Sequence, residues 1–229
     1  MSPKRTIEGG GASLHRLGDR RPSRPDPGER ELTVMFTDIA GFTRLAEALS
    51  PTAVARLLSG HFMALAHCIE REHGRIHKIM GDGLIAVWAH PADSVAPTAA
   101  AVRAALSIRQ AVEADNRAHA GRGLPALRMR VGLHAGPLIA ARLDTAGRLG
   151  VALCGDTVNV AQRLEDAGRG VTANGPVTII ASDTVVTRAG PGFRFQQLGE
   201  LLVRGRSLPV RAFRVEGAKV GGLRTARTA

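Results

Sequence analysis

Two aspartates stand where the chain is patterned to hold a carboxylate rigidly. Leu32-Thr33-Val34-Met35-Phe36-Thr37 is apolar and β-prone and runs into Asp38. Gly81-Asp82-Gly83 separates two strand-like runs, RIHKIM (75–80) and LIAVWA (84–89), and reads as the tip of a tight hairpin. Two carboxylates at adjacent strand ends suit a hard cation such as magnesium, which takes oxygen ligands and shares them with substrate phosphates. Each also has an ordinary use, Asp38 as the cap of the next helix and Asp82 as a turn residue. Lys78 is the next candidate. In a regular strand Ile76, Lys78 and Met80 share one face, so the lysine lies either at an exposed edge or in a site. Asn159 and Arg163 are four apart in a helical stretch and project from one side. An amide beside a guanidinium can hold a sugar oxygen and a phosphate, while Arg163 could equally form a surface pair with Asp166, which is worth little. The eight histidines are scattered without zinc-like spacing, and neither a GxxxxGK[ST] loop nor a GxSxG elbow occurs. Nucleotide chemistry in this chain would therefore rest on metal ions and basic side chains.

These residues need elements to place them. A strand is predicted over 31–38 and a short helix over 41–49. Ser50-Pro51 gives an N-cap and a first-turn proline. Val54, Leu57, Leu58, Phe62, Leu65 and Ile69 then recur at helical spacing, predicting a helix to about His73 with Gly74 as its stop. The hairpin over 75–89 is followed by a second long helix over about 94–119. LRMRVGLH (127–134) alternates as a strand, with PLIAAR (137–142) as its expected neighbour. VNVAQRLEDAG, opened by Asp156-Thr157, is helical and ends at Gly168. VTIIAS (177–182), a short helix, FRFQQL (193–198), LLV (201–203) and LPVRAFRV (208–215) complete the order. That order, β-α-α-β-β-α-β-β-α-β, predicts an α+β fold: a mostly antiparallel sheet with helices on one face and additional C-terminal strands.

Composition sets the bounds. At 229 residues, 44% of them apolar, the chain can bury one substantial core. Residues 1–30 are rich in Gly, Pro, Ser and Arg and read as a flexible basic leader; 31–215 reads as one domain and 216–229 as a flexible tail. No apolar run approaches bilayer-spanning length and the N-terminus has no signal-like core, so no membrane insertion is expected. Two cysteines, Cys68 and Cys154, suggest a reducing, cytoplasmic setting. The net charge of +11 invites a nucleic-acid reading, but about half the excess lies in the two tails and only 3% of residues are aromatic, with no Tyr. No nucleic-acid partner is expected; the charge reads as a solvated surface.

Taken in order, FTDIAGFT, HKIMGDG, GLHAGP, GDTVNVAQRLE and LGELLVRGRSLPVRAF resemble the catalytic domain of class III nucleotidyl cyclases, the adenylate and guanylate cyclases, across residues 33 to 213. The resemblance implies a ferredoxin-like βαββαβ core. It implies that Asp38 and Asp82, with the Ile39 carbonyl, bind two magnesium or manganese ions per site. It assigns Lys78 to adenine, Asn159 to the ribose, Arg163 to the transition state at the α-phosphate and Arg204 to the terminal phosphates. The implied reaction converts ATP to 3′,5′-cyclic AMP and pyrophosphate through attack of the ribose 3′-hydroxyl on the α-phosphorus, in a homodimer with active sites at its interface. One position departs from the pattern. Seven residues before Asn159 the family carries Asp or Thr as a second purine reader; this chain has Ala152, which cannot hydrogen-bond a base. GTP or mixed use is therefore an alternative to ATP, and a cyclase-like module that binds nucleotide or a partner without turnover is another. The sequence names no sensor, which leaves constitutive activity, or control by an unidentified regulatory partner, by expression or by concentration, as the expectations.

Overall fold

The computed structural model describes residues 29–90, 96–121, 124–145, 148–171, 175–203 and 208–219. The expected leader up to residue 28, the tail from residue 220 and Arg204 lie outside the described residues. In chain order the elements are β1 (Glu29–Ile39), α1 (Phe42–Glu47), α2 (Pro51–Arg71), β2 (Arg75–Met80), β3 (Gly83–Ala89), α3 (Ala96–Ala120), β4 (Met129–Thr145), β5 (Arg148–Cys154), α4 (Asp156–Ala167), β6 (Val177–Ser182), α5 (Asp183–Ala189), β7 (Phe193–Leu201) and β8 (Val210–Ala218). The strands form one sheet in the order β2-β3-β1-β4-β6-β8-β7, with β5 paired to β4. Only β4 and β6 run parallel; the other pairings are antiparallel. This is the expected α+β class.

Alternation along the central strands explains the layering. Met35, Leu84, Ala86, Trp88, Val131, Leu133 and Ile179 turn to one face and meet α2 and α3 through Leu65, Ile69, Ile108 and Val112. Val34, Phe36, Ile85 and Leu138 turn to the other. That second face is covered by α4, through Ala161 against the β1 residues and through Val160 and Leu164 against Ile180. The expected one-sided layer of helices is thus joined by a single helix on the far side. α4 can lie close because of Gly132: a Cβ there would collide with the Ala161 carbonyl and the Glu165 amide.

Several local expectations change. Residues 137–142 do not form a neighbouring strand; they continue β4, whose ladder with β1 runs from Met129 to Ile139, and the neighbour is β5. Pro137 is tolerated within a strand when no ladder bond is asked of its nitrogen. β1 starts at Glu29, opposite Ile139, two residues before the expected start. β7 extends to Leu201, which absorbs the first residue of the separate strand expected over 201–203. α2 has the expected Ser50 cap, whose hydroxyl accepts from the Ala53 amide, but Gly74 is not its left-handed stop. His73 takes φ 60°, and the amides of His73 and Gly74 bond back to the carbonyls of Glu70 and Ile69, a Schellman closure. Finally, α2 is long and apolar enough by length and composition to cross a membrane, with mean hydropathy 1.2, contrary to the sequence expectation. Alanines raise that mean without making an unbroken apolar run. The helix keeps a hydrated stripe of Arg56, Ser59, His67 and Glu70 and turns Leu65, Cys68 and Ile69 into the core.

Candidate active site

Asp38 is next to last in β1, one residue beyond the ladder with β3, which ends at the Thr37–Leu84 pair. The Thr37 hydroxyl accepts from the Leu84 amide at 3.2 Å, and a Cβ at Gly83 would collide with the Thr37 carbonyl. The β2–β3 turn therefore packs tightly against the end of β1, bringing Asp82 to Asp38. Burial, and then the charge of Asp82, push the Asp38 carboxyl above its ordinary pKa, with Arg130 and Arg169 pulling the other way. Two carboxylates in mutual contact are a site that gains from a divalent cation. Among the described residues no cluster of three or more His, Cys, Asp or Glu side chains forms a metal cage. A pair of carboxylates is instead the donor set magnesium uses when substrate phosphates and water complete its shell. Ile39, the last β1 residue, is buried beside them.

A residue that spacing did not single out ties this corner together. Arg130, in β4 opposite Asp38, is only 7% exposed. One guanidinium nitrogen donates to Asp38 Oδ2, and Nε donates to Glu165 Oε1 of α4 at 2.6 Å. Glu165 is itself buried, and burial, the largest influence, pushes its carboxyl upward although the Arg130 hydrogen bond opposes this. The sequence does hold the signal. In Met129-Arg130-Val131-Gly132, the arginine alternates with buried apolar residues and shares the glycine's face, where α4 must lie. An arginine on that face needs a buried acid, and Glu165 follows Leu164 on the inner side of the helix.

The other candidates are placed apart from this pair. A bulge in β2 shifts the register between Ile76 and Lys78, so that Ile76 lies opposite Ala86 but Lys78 opposite Ile85. Ala86 belongs to the α2/α3 face and Ile85 to the α4 face. Lys78 therefore leaves the face of Ile76, contrary to the regular alternation, and stands exposed. Asn159 and Arg163 lie on the exposed stripe of α4, opposite Val160, Ala161, Leu164 and Glu165. Arg163 donates to Asp166 at 3.4 Å with its side chain 52% exposed, the surface pair anticipated as its ordinary use. Ala152 is half-buried in β5, opposite Ala141. Within one chain, then, the aspartates are together, while the amide and guanidinium point away from them into solvent.

Two histidines lie deep. His134 shares a hydrogen bond with the Ser182 hydroxyl at 2.7 Å. His61, on α2, is 3% exposed and neither ring nitrogen has a partner among the described residues; burial lowers its pKa to about 4 against the pull of Asp115 and Asp82.

Residues 26–217 match the family model described as the adenylate and guanylate cyclase catalytic domain. Adenylate cyclase 1 of Rhizobium meliloti is 34% identical over 215 residues, which are 94% of this chain and 31% of that protein; the chain thus spans about a third of that relative's length. Among solved structures, the adenylyl cyclase CyaB of P. aeruginosa superposes with TM-score 0.76 at 25% identity, over 84% of this chain and 96% of that one. The guanylyl cyclase Cya2 gives the same score and identity, over 84% and 95%.

Proposed function

Because the chain belongs to the adenylate and guanylate cyclase catalytic-domain family, we propose that it forms 3′,5′-cyclic AMP and pyrophosphate from ATP as a homodimer with two shared active sites. One observation carries the reading: the acidic pair is built and braced in each chain, while the Asn159–Arg163 stripe faces outward and, among the described residues of its own chain, meets only Asp166. A second copy brings the two halves together, and an isologous dimer repeats that contact twice.

In this reading Asp38 and Asp82 hold the divalent cations. Bound there, magnesium or manganese supplies Lewis acidity at the ribose 3′-hydroxyl and the phosphates. Arg130 keeps the Asp38 carboxylate at the sheet's end, so the acid enters the reaction already placed. Asn159 of the facing chain orients the ribose. Arg163 exchanges its weak bond to Asp166 for the α-phosphoryl oxygens, where charge grows as the 3′-oxygen attacks and pyrophosphate leaves. Arg204 takes the terminal phosphates. Lys78, free of a partner strand on its outer side, reads adenine, and the named activity of the R. meliloti relative supports ATP. Ala152 supports a second reading, a cyclase that accepts GTP as well, because only one side chain is left to discriminate the base. The two free cysteines, one of them buried, suit a cytoplasmic setting.

Chromatographic product analysis after incubation with ATP or GTP and manganese tests the activity. The shared site is tested by mixing. Asp38→Ala and Arg163→Ala homodimers are each expected to be inactive, and their mixture, after subunit exchange, to regain a substantial part of the activity, because both lesions fall in one site of the mixed dimer. A mixture that exchanges subunits yet stays inactive removes the shared-site model.

A further inference from the structure

Two recesses meet at the end of the sheet that carries Asp38. The first, about 580 Å³, is walled by Leu45, Leu49, Leu124 and Leu127, with Arg44 and Arg128 on its lining. The second, about 410 Å³, is polar and is lined by Arg128, Arg130, Arg169 and Thr178. Ala40, Gly41 and Arg128 line both, and the Ala40 amide bonds to the Arg128 carbonyl at 2.7 Å, so the two recesses adjoin across that bridge. Each has a volume in the range of small-molecule sites.

The chemistry of the two halves differs. Leu124 leaves 41% of its surface in water at the apolar end. At the polar end Thr178 is only 6% exposed, and its hydroxyl makes no hydrogen bond among the described residues. That hydroxyl is not shut off from water, so it stands open to an occupant of the recess. Arg44 and Arg128 have no acidic partner among the described residues, and Arg169 has only Asp166, at 3.4 Å. Arg130 is already matched by Asp38 and Glu165. The uncompensated charge is therefore positive and centred on Arg128, where the apolar and polar recesses join.

We infer that the joined recesses bind an amphipathic anion: a small molecule with a phosphate or carboxylate head at Arg128, Arg169 and Thr178, and an apolar tail against Leu45, Leu49 and Leu124. The first recess supplies the apolar wall with Arg44 and Arg128, and the second adds Arg169 and the Thr178 hydroxyl to the head's surroundings. The head lies beside Arg130, which holds Asp38, so an occupant obstructs the approach of nucleotide phosphates and inhibits competitively. Only that last effect rests on the proposed activity; binding does not.

The test uses the full chain and dodecyl phosphate below its micelle concentration, with affinity read by calorimetry without nucleotide. Inorganic phosphate supplies the head alone, dodecanol the tail alone, and dodecanoate the other head. Dodecyl phosphate is expected to bind at least roughly tenfold more tightly than phosphate or dodecanol. Thr178→Val and Arg128→Gln are each expected to weaken it roughly tenfold. Leu124→Ser, at an exposed position that leaves folding intact, is expected to weaken dodecyl phosphate but not inorganic phosphate. The fluorescence of the single tryptophan, Trp88, verifies that each variant is folded. Absent binding, or binding indifferent to all three substitutions, overturns the site. A protein that binds as expected yet makes no cyclic nucleotide overturns the cyclase reading and leaves this one standing; a cyclase that does not bind does the reverse.

Discussion

His61→Leu is expected to stabilise the protein, and increasingly so as pH falls. His61 lies 3% exposed on α2, tilted against Phe62, with both ring nitrogens unpartnered among the described residues. Burial lowers its pKa from 6.5 to about 4 in the folded protein. The unfolded chain therefore takes up a proton first as pH drops, and folding loses stability between pH 6.5 and 4; above 6.5 both states are neutral and the loss is absent. Each tenfold in proton affinity is worth about 1.4 kcal/mol, so the loss approaches about 3 kcal/mol by pH 4 and is roughly 2 kcal/mol at pH 5. Asp115 on α3 and Asp82 on the β2–β3 turn favour the proton and already act within the lowered value. Leucine removes the titration and the unpartnered nitrogens together, which adds about 1 kcal/mol even at neutral pH. Trp88, 2% exposed and the only tryptophan, reports urea unfolding by fluorescence. The stability difference between variant and wild type should widen by roughly 2 kcal/mol from pH 7 to pH 5. A difference that stays constant across that range would refute the neutral, buried imidazole.

Other perturbations act on the site. Arg130→Met is expected to cost about 3–5 kcal/mol in urea unfolding, because Asp38 and Glu165 lose their shared cation; a loss under 1 kcal/mol would show the network to be ornamental. Lys78→Glu is expected to lower ATP use and raise relative GTP use by roughly ten- to a hundredfold, measured as a ratio of kcat/KM values. Ala152→Thr is expected to raise ATP use, and unchanged preference in both variants would relocate the purine pocket.

What the sequence made legible was whatever depends on local pattern. The apolar run into Asp38, the glycine-flanked Asp82, the Ser50-Pro51 start of α2 and the helical spacing of Asn159 with Arg163 each specify a position without knowledge of the rest of the fold. Features set by pairing were hidden. The β2 bulge at His77 is a matter of pairing with β3, and it moves Lys78 to the other face although the residues alternate regularly. Gly136-Pro137 looks like a break, yet β4 runs through it because β1 continues to pair as far as Glu29. Arg130 is one polar residue of an alternating strand, and its partners follow only from the β1–β4 register, which sets it opposite Asp38, and from the glycine two residues on, which lets α4 lie over it. His61 was one of eight histidines, and only burial distinguishes it.

The seating of α4 on Gly132 carries a mechanical consequence. The helix backbone meets β4 with no side chain between, and Glu165 is pinned through Arg130 to Asp38, so α4 cannot slide or roll independently of the aspartate corner. Its outer stripe, Asn159 and Arg163 on the same rigid cylinder, is the part that reaches a facing chain in the proposed dimer. Each α4 is then a crossbar between two reaction centres, clamped to one and inserted in the other. In that proposed dimer, displacement at one aspartate pair would be transmitted as a tilt of the amide and guanidinium in the opposite centre. Linkage makes such a coupling reciprocal: filling either centre changes the affinity of its twin by one common factor, visible as a Hill coefficient away from unity that returns to one when Arg130→Met releases the clamp.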